Sequence, residues 1–369
     1  MKNKFNIFLR YLLLFILIFV ILNILIVFLW PIKTDIKFSN YEPYSEIELK
    51  SLNLNKSEGL KLYLETWQRQ RLYEYDEYTG IVESNSINNK FVNLTKEFGR
   101  KISNKNCTKS IFFYGGENMF GYNVTDSQTI PHYFKEIIAI KPLNKKEEYC
   151  IYNFGRGTYN STQENILFIK HILNKKISNK DIVIFLDGIN EKGNKEILNT
   201  KFISENYNGL HQKYWLLYKY TFLSFMRTIP SSQVLELILK KKDVKDINKD
   251  NIKINDFDIK KVFDDNIKIR SSICDKFELN CFNFLQPFPG LHGKFYNKIN
   301  NKIEIHDNKN NLELYQNYFL LNKTDNVINI SDSLNNSLGI SYINEIYYSP
   351  ESNKLIAQRI YNSVKYNIN

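Results

Sequence analysis

The chain lacks the patterns that mark several common classes of protein. Its 50 Lys and Arg residues give a formal net charge of +11, but they are scattered among acidic residues, and no arginine-rich stripe with interleaved aromatics appears. This pattern argues against a nucleic-acid-binding protein. The four cysteines do not have the spacing of a zinc site, and no paired histidines accompany them. We therefore expect no metal and no cofactor.

The composition is that of a folded protein. The chain has 369 residues, of which 43% are hydrophobic and 15% are aromatic. A chain of this length can bury a sizeable core, as one large domain or two ordinary ones. Its hydrophobic content excludes an intrinsically disordered chain.

One long uncharged run lies near the N-terminus, at residues 11–30. About 20 apolar residues span a bilayer, and no small-residue cleavage site follows the run. The charged residues before it are Lys2, Lys4 and Arg10, and those after it are Lys33, Asp35 and Lys37. The positive-inside rule then predicts a single-pass membrane protein. Residues 1–10 would be cytoplasmic, and the main domain would be periplasmic or on the cell surface. An uncleaved signal sequence with the same topology is the alternative.

The cysteines are expected to form disulfides. An even count in an exported domain favours them, and four cysteines allow three connectivities. Cys107 and Cys150 each precede an apolar strand, so their thiols would start side by side if the strands are neighbours. Cys274 and Cys281 lie between the end of a helix and the start of a strand. We favour the pairs 107–150 and 274–281.

Strands and helices alternate from residue 106 to residue 369. Residues 31–105 are predicted to form a stalk and then a strap across the domain. Residues 205–238 are predicted to be an aromatic helical stretch. The charged insertion near 240–265 is predicted to be a mobile excursion or a lid. Predicted strands are 111–114, 149–153, 181–186, 281–285 and 327–330, and predicted helices are 130–140, 162–173 and 355–364. This order predicts a three-layer α/β/α fold with a parallel sheet, of the flavodoxin-like kind.

Four short polar blocks follow predicted strands or precede the last helix. They are Gly115-Gly116-Glu117-Asn118 with Asp126, Asn153-Phe154-Gly155-Arg156-Gly157, Asp187-Gly188-Ile189-Asn190-Glu191, and Asn344-Glu345-Ile346-Tyr347. Carboxyl ends of parallel strands meet at one sheet edge, where α/β proteins build their sites. In this order and spacing the blocks resemble the SGNH (GDSL-like) hydrolases, especially a membrane-anchored bacterial branch. The resemblance covers roughly residues 70–365.

The resemblance implies a serine nucleophile after the first glycine pair, an oxyanion site formed by a glycine amide and an asparagine, and an Asp-x-x-His pair. Here the serine position is Glu117, the aspartate position is Asn344 and the histidine position is Tyr347. Asn190 and Gly157 match the oxyanion positions, although the local spacing also allows Thr158 to carry the donating amide. Loss of one triad member costs roughly three to six orders of magnitude in rate.

The sequence therefore favours a catalytically degenerate protein that binds a glycan or acylated envelope ligand, or serves as a scaffold for an envelope enzyme. The expected cleft residues are Glu117, Asn118, Arg156, Asp187, Asn190, His292 and Tyr347. Asp187 and Glu191 are interpreted as turn or cap residues, since no histidine accompanies them.

Two alternatives keep an enzyme. In one, Glu117 acts as an acid or base on a glycan, alone or paired with His292. In the other, esterase or acetylhydrolase activity survives through a shifted alignment, with Ser127, Ser161 or Ser349 as nucleophile. Each of these serines is expected instead to cap a helix or to face solvent.

Overall fold

The computed structural model describes residues 42–67, 73–74, 82–83, 87–95, 99–102, 107–157, 159–179, 181–193, 259–297, 302–304 and 326–368, with helical residues between 10 and 21. The chain divides into two units, one of residues 1–41 and 197–257, and one of residues 42–196 and 258–369. Only a few residues of the first unit are described. The predictions for residues 205–238 and for most of 240–265 lie outside the described residues.

The described helices are α1 (Glu46–Leu52), α2 (Lys56–Trp67), α3 (Glu117–Phe120), α4 (Ile130–Ile140), α5 (Ser161–Leu173), α6 (Ile259–Lys276) and α7 (Pro350–Ile368). None of the helices in the described ranges is both long enough and apolar enough to span a membrane. Most of the predicted span at 11–30 lies on residues that are not described, and it stays a prediction.

The strands are β1 (Tyr73–Glu74), β2 (Val82–Glu83), β3 (Leu94–Thr95), β4 (Gly99–Arg100), β5 (Lys109–Gly115), β6 (Tyr149–Asn153), β7 (Ile182–Asp187), β8 (Asn280–Leu285), β9 (Phe295–Asn297), β10 (Lys302–Glu304), β11 (Val327–Asn329), β12 (Tyr342–Ile343) and β13 (Tyr347–Tyr348). Seven of them form one sheet in the order β11-β8-β7-β5-β6-β4-β3. All neighbours in it are parallel except β3 and β4. The predicted mixed α/β architecture with a mostly parallel sheet is confirmed.

Helices cover both faces of this sheet because successive side chains of a strand point to opposite sides. On one face, Ile111 and Phe113 of β5 pack with α4 and α7. On the other face, Phe112 and Tyr114 pack in a cluster with residues of α5 and α6. Strand β7 is buried along its whole length, which explains its nearly continuous apolar sequence.

The region predicted as stalk and strap contributes to the folded unit. Helices α1 and α2 bury Leu49, Leu52 and Leu62 against Phe120 and Tyr122. Helix α1 begins with a capping box between Ser45 and Glu48. We call residues 42–67 the strap. It packs beside the loop that follows α3, and this position brings it to the edge of the sheet that carries the four blocks.

Both predicted disulfides are present. Cys107 and Cys150 are linked just before β5 and at the start of β6, with a Cα–Cα distance of 5.5 Å. Cys274 of α6 is linked to Cys281 of β8 across 6.1 Å. Both links lie toward the amino-terminal ends of the strands, at the edge of the sheet away from the four blocks.

The two disulfides should differ in their contribution to stability. The first closes a sequence separation of 43 residues and the second one of 7. Loss of loop-closure entropy in the unfolded chain predicts about 4 kcal/mol for the first and about 2 kcal/mol for the second. Urea unfolding of the double variants C107S/C150S and C274S/C281S should therefore show the larger loss of unfolding free energy for C107S/C150S. Equal losses would contradict this prediction.

Candidate functional site

The first block forms a tight turn between β5 and α3. Gly116 precedes the helix, and Glu117 is its first residue, half-buried. A Cβ atom on Gly116 would lie 1.8 Å from Asn190 Nδ2 and 3.1 Å from the carbonyl oxygen of Tyr159. Only glycine fits at this close approach. The turn thus presents the side chain of Glu117 at the carboxyl end of the central strand.

The second block runs alongside this turn. The amide of Arg156 donates to the carbonyl of Gly115 at 2.9 Å, and the Asn153 side chain donates to the carbonyl of Met119 at 3.1 Å. A Cβ atom on Gly157 would lie 2.1 Å from the hydroxyl of Tyr122. Gly157 therefore lies against the loop after α3. Thr158, the alternative amide donor, is outside the described residues.

The third block brings Asn190 to the turn. Its side-chain Nδ2 donates to the carbonyl of Tyr159 at 2.8 Å and lies directly over Gly116. An amide nitrogen carries two hydrogens, so one N–H of Asn190 remains beyond the bond to Tyr159. This is the neighbourhood in which the sequence predicts the oxyanion position.

The fourth block reaches the same place from the other side. The backbone amide of Tyr348 donates to Asn118 Oδ1 at 3.2 Å, which joins β13 to α3. The ring of Tyr347 packs edge-on against Trp67 at 5.5 Å and Tyr122 at 5.6 Å between centroids. All four blocks of the sequence therefore meet around the turn.

Asn344 is held through its backbone in a tight turn. It has a φ of 48°, in the left-handed region that asparagine tolerates better than most residues. Its amide donates to Glu48 Oε1 of the strap at 2.7 Å. Asn344 is thus fixed by a contact with the N-terminal helices.

Four of the expected cleft residues are buried in the structure. Asn118, Arg156, Asp187 and His292 are between 3% and 9% exposed. His292 Nδ1 accepts a hydrogen bond from the backbone amide of Phe288 at 3.2 Å, and burial lowers the pKa of its ring, partly opposed by Asp332. This bond ties the ring to its own loop. Glu117, Asn190 and Tyr347 are the half-buried members of the predicted set.

The serines of the second alternative lie in three different settings. Ser161 is fully buried and its hydroxyl donates to Glu191 Oε2 at 2.8 Å. Ser349 is fully buried and its Oγ accepts from the amide of Ser352, near the start of α7. Ser127 is exposed and contacts Thr125 at 3.1 Å. Ser349 caps the start of α7 and Ser127 faces solvent, as the sequence predicts. The prediction is wrong for Ser161, which is buried, since the cap of α5 is Asn160.

A buried ionic network lies beneath the third block, and the sequence did not predict it. Arg270 of α6 is fully buried and forms ion pairs with Asp187 and with Glu164, the latter at 3.1 Å. Its guanidinium also lies 3.9 Å from the ring centroid of Phe185. The sequence around Arg270 reads as one more charged helix face, so it carries no signal of burial. Asp187 is therefore a partner of Arg270 under the turn.

Two further carboxyl groups complete this network. Burial and the nearby negative charge of Asp187 raise the pKa of Glu164 well above its usual value, despite the opposing charge of Arg270. The same two causes raise the pKa of Glu191 to about 7. Glu191 accepts hydrogen bonds from the amide and hydroxyl of Ser161, both at 2.8 Å. The residue next to Asn190 is thus anchored to the start of α5.

No cluster of three or more histidine, cysteine or acidic side chains that could hold a metal ion is found in the described part of the chain. The interpretation of Glu191 as a cap residue agrees with its bonds to Ser161.

Comparison with known proteins gives structural likenesses only. No protein-family model and no curated protein sequence matches the chain. Similar solved structures include the acetyl xylan esterase AlAXEase, 11% identical over 69% of this chain and 99% of that one, with a TM-score of 0.36. The lipase/acylhydrolase from Enterococcus faecalis is 12% identical over 70% of this chain and 97% of that one, also with a TM-score of 0.36.

A third similar structure is a putative lipolytic protein of the G-D-S-L family from Desulfitobacterium hafniense DCB-2. It is 11% identical over 70% of this chain and 99% of that one, with a TM-score of 0.34. Because TM-scores this low carry no weight for function, the function of this chain has to be inferred from the geometry of its own site.

Substitution of Gly116 by alanine should disrupt the turn. The new Cβ would overlap Asn190 Nδ2, so either Asn190 or the backbone must move, which typically costs about 1–3 kcal/mol. Gly339→Ala is the matched control, because there the nearest atom is the flexible carboxylate end of Glu351 at 2.7 Å. Chemical unfolding should show a clear loss of stability for Gly116→Ala and a smaller one for the control. A neutral Gly116→Ala would contradict the close packing.

The raised pKa of Glu191 predicts a pH dependence of stability. A carboxyl group whose pKa is raised from 4.5 to about 7 on folding binds more protons in the folded state between these values. The contribution of Glu191 to the unfolding free energy should therefore fall as pH rises from about 4.5 to about 7. Burial lowers the pKa values of His132, His171 and His292, and these groups contribute in the opposite direction, so Glu191→Gln has to be compared with the unmodified chain at each pH. Urea unfolding should show that the unfolding free energy of the unmodified chain, relative to that of Glu191→Gln, falls across this range, and a constant difference would contradict the assignment.

Proposed function

We propose that this chain is a membrane-anchored, extracytoplasmic protein with an SGNH-hydrolase-like fold that no longer runs the serine esterase reaction. In this proposal it binds a glycan or an acylated envelope ligand, or holds an envelope enzyme, at the edge of the sheet around Glu117. The observation that carries the proposal is the identity of the residue at this turn, Glu117. A carboxylate stands at the end of β5, where an esterase of this kind would present a hydroxyl.

The two partner positions give the same indication. Ester hydrolysis requires a base within hydrogen-bond reach of the nucleophile and an acid that orients the base. Asn344 is bonded through its amide to Glu48, and the ring of Tyr347 packs against Trp67 and Tyr122. An ordinary tyrosine, with a pKa of about 10, is a poor base at neutral pH. Neither Asn344 nor Tyr347 has the chemistry of the Asp and His pair that such a reaction uses.

Retained binding is supported by the polar groups that remain. Asn190 has a hydrogen beyond its bond to Tyr159, and Asn190, Glu117 and Tyr347 are all partly exposed. Together they offer a donor, a charged acceptor and a phenol at one edge of the sheet. Such a set suits a polar ligand with hydroxyl or amide groups.

The proposed location outside the cytoplasm rests on two features. The uncharged run at 11–30 has the length of a membrane span. The two disulfides are of the kind that persists in an oxidising compartment. Both features are consistent with a domain tethered to the outer side of a membrane.

The test is an esterase assay on the full chain purified in detergent. Hydrolysis of p-nitrophenyl acetate should not exceed that of a detergent blank, because the carboxylate of Glu117 is a poor nucleophile toward an ester. Glu117→Ala should leave the rate at this background, as should Ser127→Ala, the exposed-serine control. A serine-directed fluorophosphonate probe should form no covalent adduct.

Two results would overturn the proposal. Robust turnover that is abolished by Glu117→Ala would establish an active hydrolase with a non-standard site that uses Glu117. A fluorophosphonate adduct on Ser127, Ser161 or Ser349 would establish a serine enzyme with a shifted arrangement.

A further inference from the structure

Three aromatic rings from separate parts of the chain meet beside the Glu117 turn. Trp67 stacks on Tyr122 with 5.3 Å between ring centroids and 14° between planes. Tyr347 meets both rings edge-on. We call Tyr122 and Tyr347 the ring walls. The ring walls belong to the loop after α3 and to β13, whereas Trp67 is the last residue of the strap helix α2.

The ring walls are part of the candidate site. The backbone amide of Tyr122 donates to the carbonyl of Glu117 at 3.2 Å, and the hydroxyl of Tyr122 lies against Gly157. Tyr347 occupies the fourth block, and the amide of its neighbour Tyr348 is bonded to Asn118 of α3. The indole of Trp67 therefore fills space next to the turn that presents Glu117.

The side-chain amide of Asn123 borders this space, and Trp67 forms a hydrogen bond with only one end of it. Asn123 is fully buried, and its Oδ1 accepts hydrogen bonds from Trp67 Nε1 at 2.7 Å and from Tyr44 at 2.8 Å. Its Nδ2 has no hydrogen-bond partner among the described residues. An unmade hydrogen bond at a buried amide is costly. Indole offers a donor and no acceptor, so it leaves this donor unused.

The strap is anchored independently of Trp67. Glu65 accepts hydrogen bonds from the amides of Phe91 and Val92 at 2.8 and 3.1 Å, Glu48 holds Asn344, and Leu62 is fully buried. Trp67 is half-buried. Displacement of its indole would leave these other anchors in place.

We propose that the indole of Trp67 is a plug, a side chain that blocks a sugar-binding subsite of the same molecule. A pyranose ring of a glycan competes with this indole for the space that the ring walls and Asn123 border. The inference deepens the proposed function, on which it rests, by naming a glycan as the ligand class. A pyranose ring stacks its apolar C–H face on aromatic rings. One hydroxyl can donate to Asn123 Oδ1 and accept from Asn123 Nδ2, which satisfies both ends of the amide.

Chemical complementation of Trp67→Ala in the full chain tests the plug. The substitution should leave an indole-shaped space, so added indole should bind and raise the Tm in a saturable way. N-acetylglucosamine should bind the same variant. It should bind the unmodified chain at least about tenfold more weakly, because only the unplugged fraction is competent. Isothermal titration calorimetry measures the affinities.

Leu62→Ala is the matched control. Leu62 is fully buried in the same helix, so its truncation loosens the strap but leaves the indole of Trp67 in place against the ring walls. Indole and N-acetylglucosamine should bind Leu62→Ala no better than they bind the unmodified chain. Trp67→Ser, whose small side chain also vacates the space of the indole, is a second variant that should bind indole if Trp67→Ala does not fold.

Each binding result either supports or overturns the proposal. Binding of both ligands to the Trp67 variants and not to Leu62→Ala supports the proposal. Binding of indole alone overturns the assignment to a sugar, and binding of neither overturns the plug. The readout does not involve hydrolysis, so an active esterase would overturn the proposed function while leaving the plug intact, and failure of complementation would leave the proposed function standing.

Discussion

The arrangement of the site depends on one buried positive charge. Arg270 is fully enclosed and meets Asp187 at the end of β7, Glu164 of α5 and the carbonyl of Ser161. A charge in this position is tolerable only because each of its donors has a partner, and removal of one member of such a buried pair commonly costs about 3–5 kcal/mol. The network fixes α5, α6 and the end of β7 to one another. The turn that carries Asn190 is built on that junction.

The surplus of acid around Arg270 has a physical consequence for the fold. Arg270 forms ion pairs with Asp187 and Glu164, and Glu191 lies nearby. Burial and the charge of Asp187 raise the pKa values of both glutamates, which favours their protonated forms. The junction therefore combines the ion pairs of Arg270 with carboxyl groups whose burial favours the neutral form.

Much of the scaffold was readable from the sequence because its strands are nearly continuous apolar runs. The run from Ile182 to Leu186 predicted a strand buried on both faces, and the four polar blocks predicted a common edge. Boundaries moved by a residue or two, as with β5, because sheet pairing extends past the apolar core. The last helix begins at Pro350 and not at residue 355, since its first turn is polar.

Other features could not be predicted because the buried residues concerned lie in polar stretches that are typical of a protein surface. Arg270 stands in a helix rich in Lys and Asp, and Glu191 looks like an ordinary turn residue. Only tertiary packing reveals that both are enclosed. The packing of Trp67 against Tyr122 depends on a contact between residues far apart in the chain, and an aromatic residue at the end of a polar helix gives no sign of its partner.

The two ends of the sheet differ in what they carry: one end has the disulfides and the other has the candidate site. Both covalent links lie where the strands begin, and the four blocks lie where the strands end. Substitutions at the ends of the strands that carry the four blocks should therefore be tolerated by the fold, since the cross-links stabilise the sheet at the opposite end. A chain built in this way can exchange one set of functional side chains for another over evolutionary time and still fold.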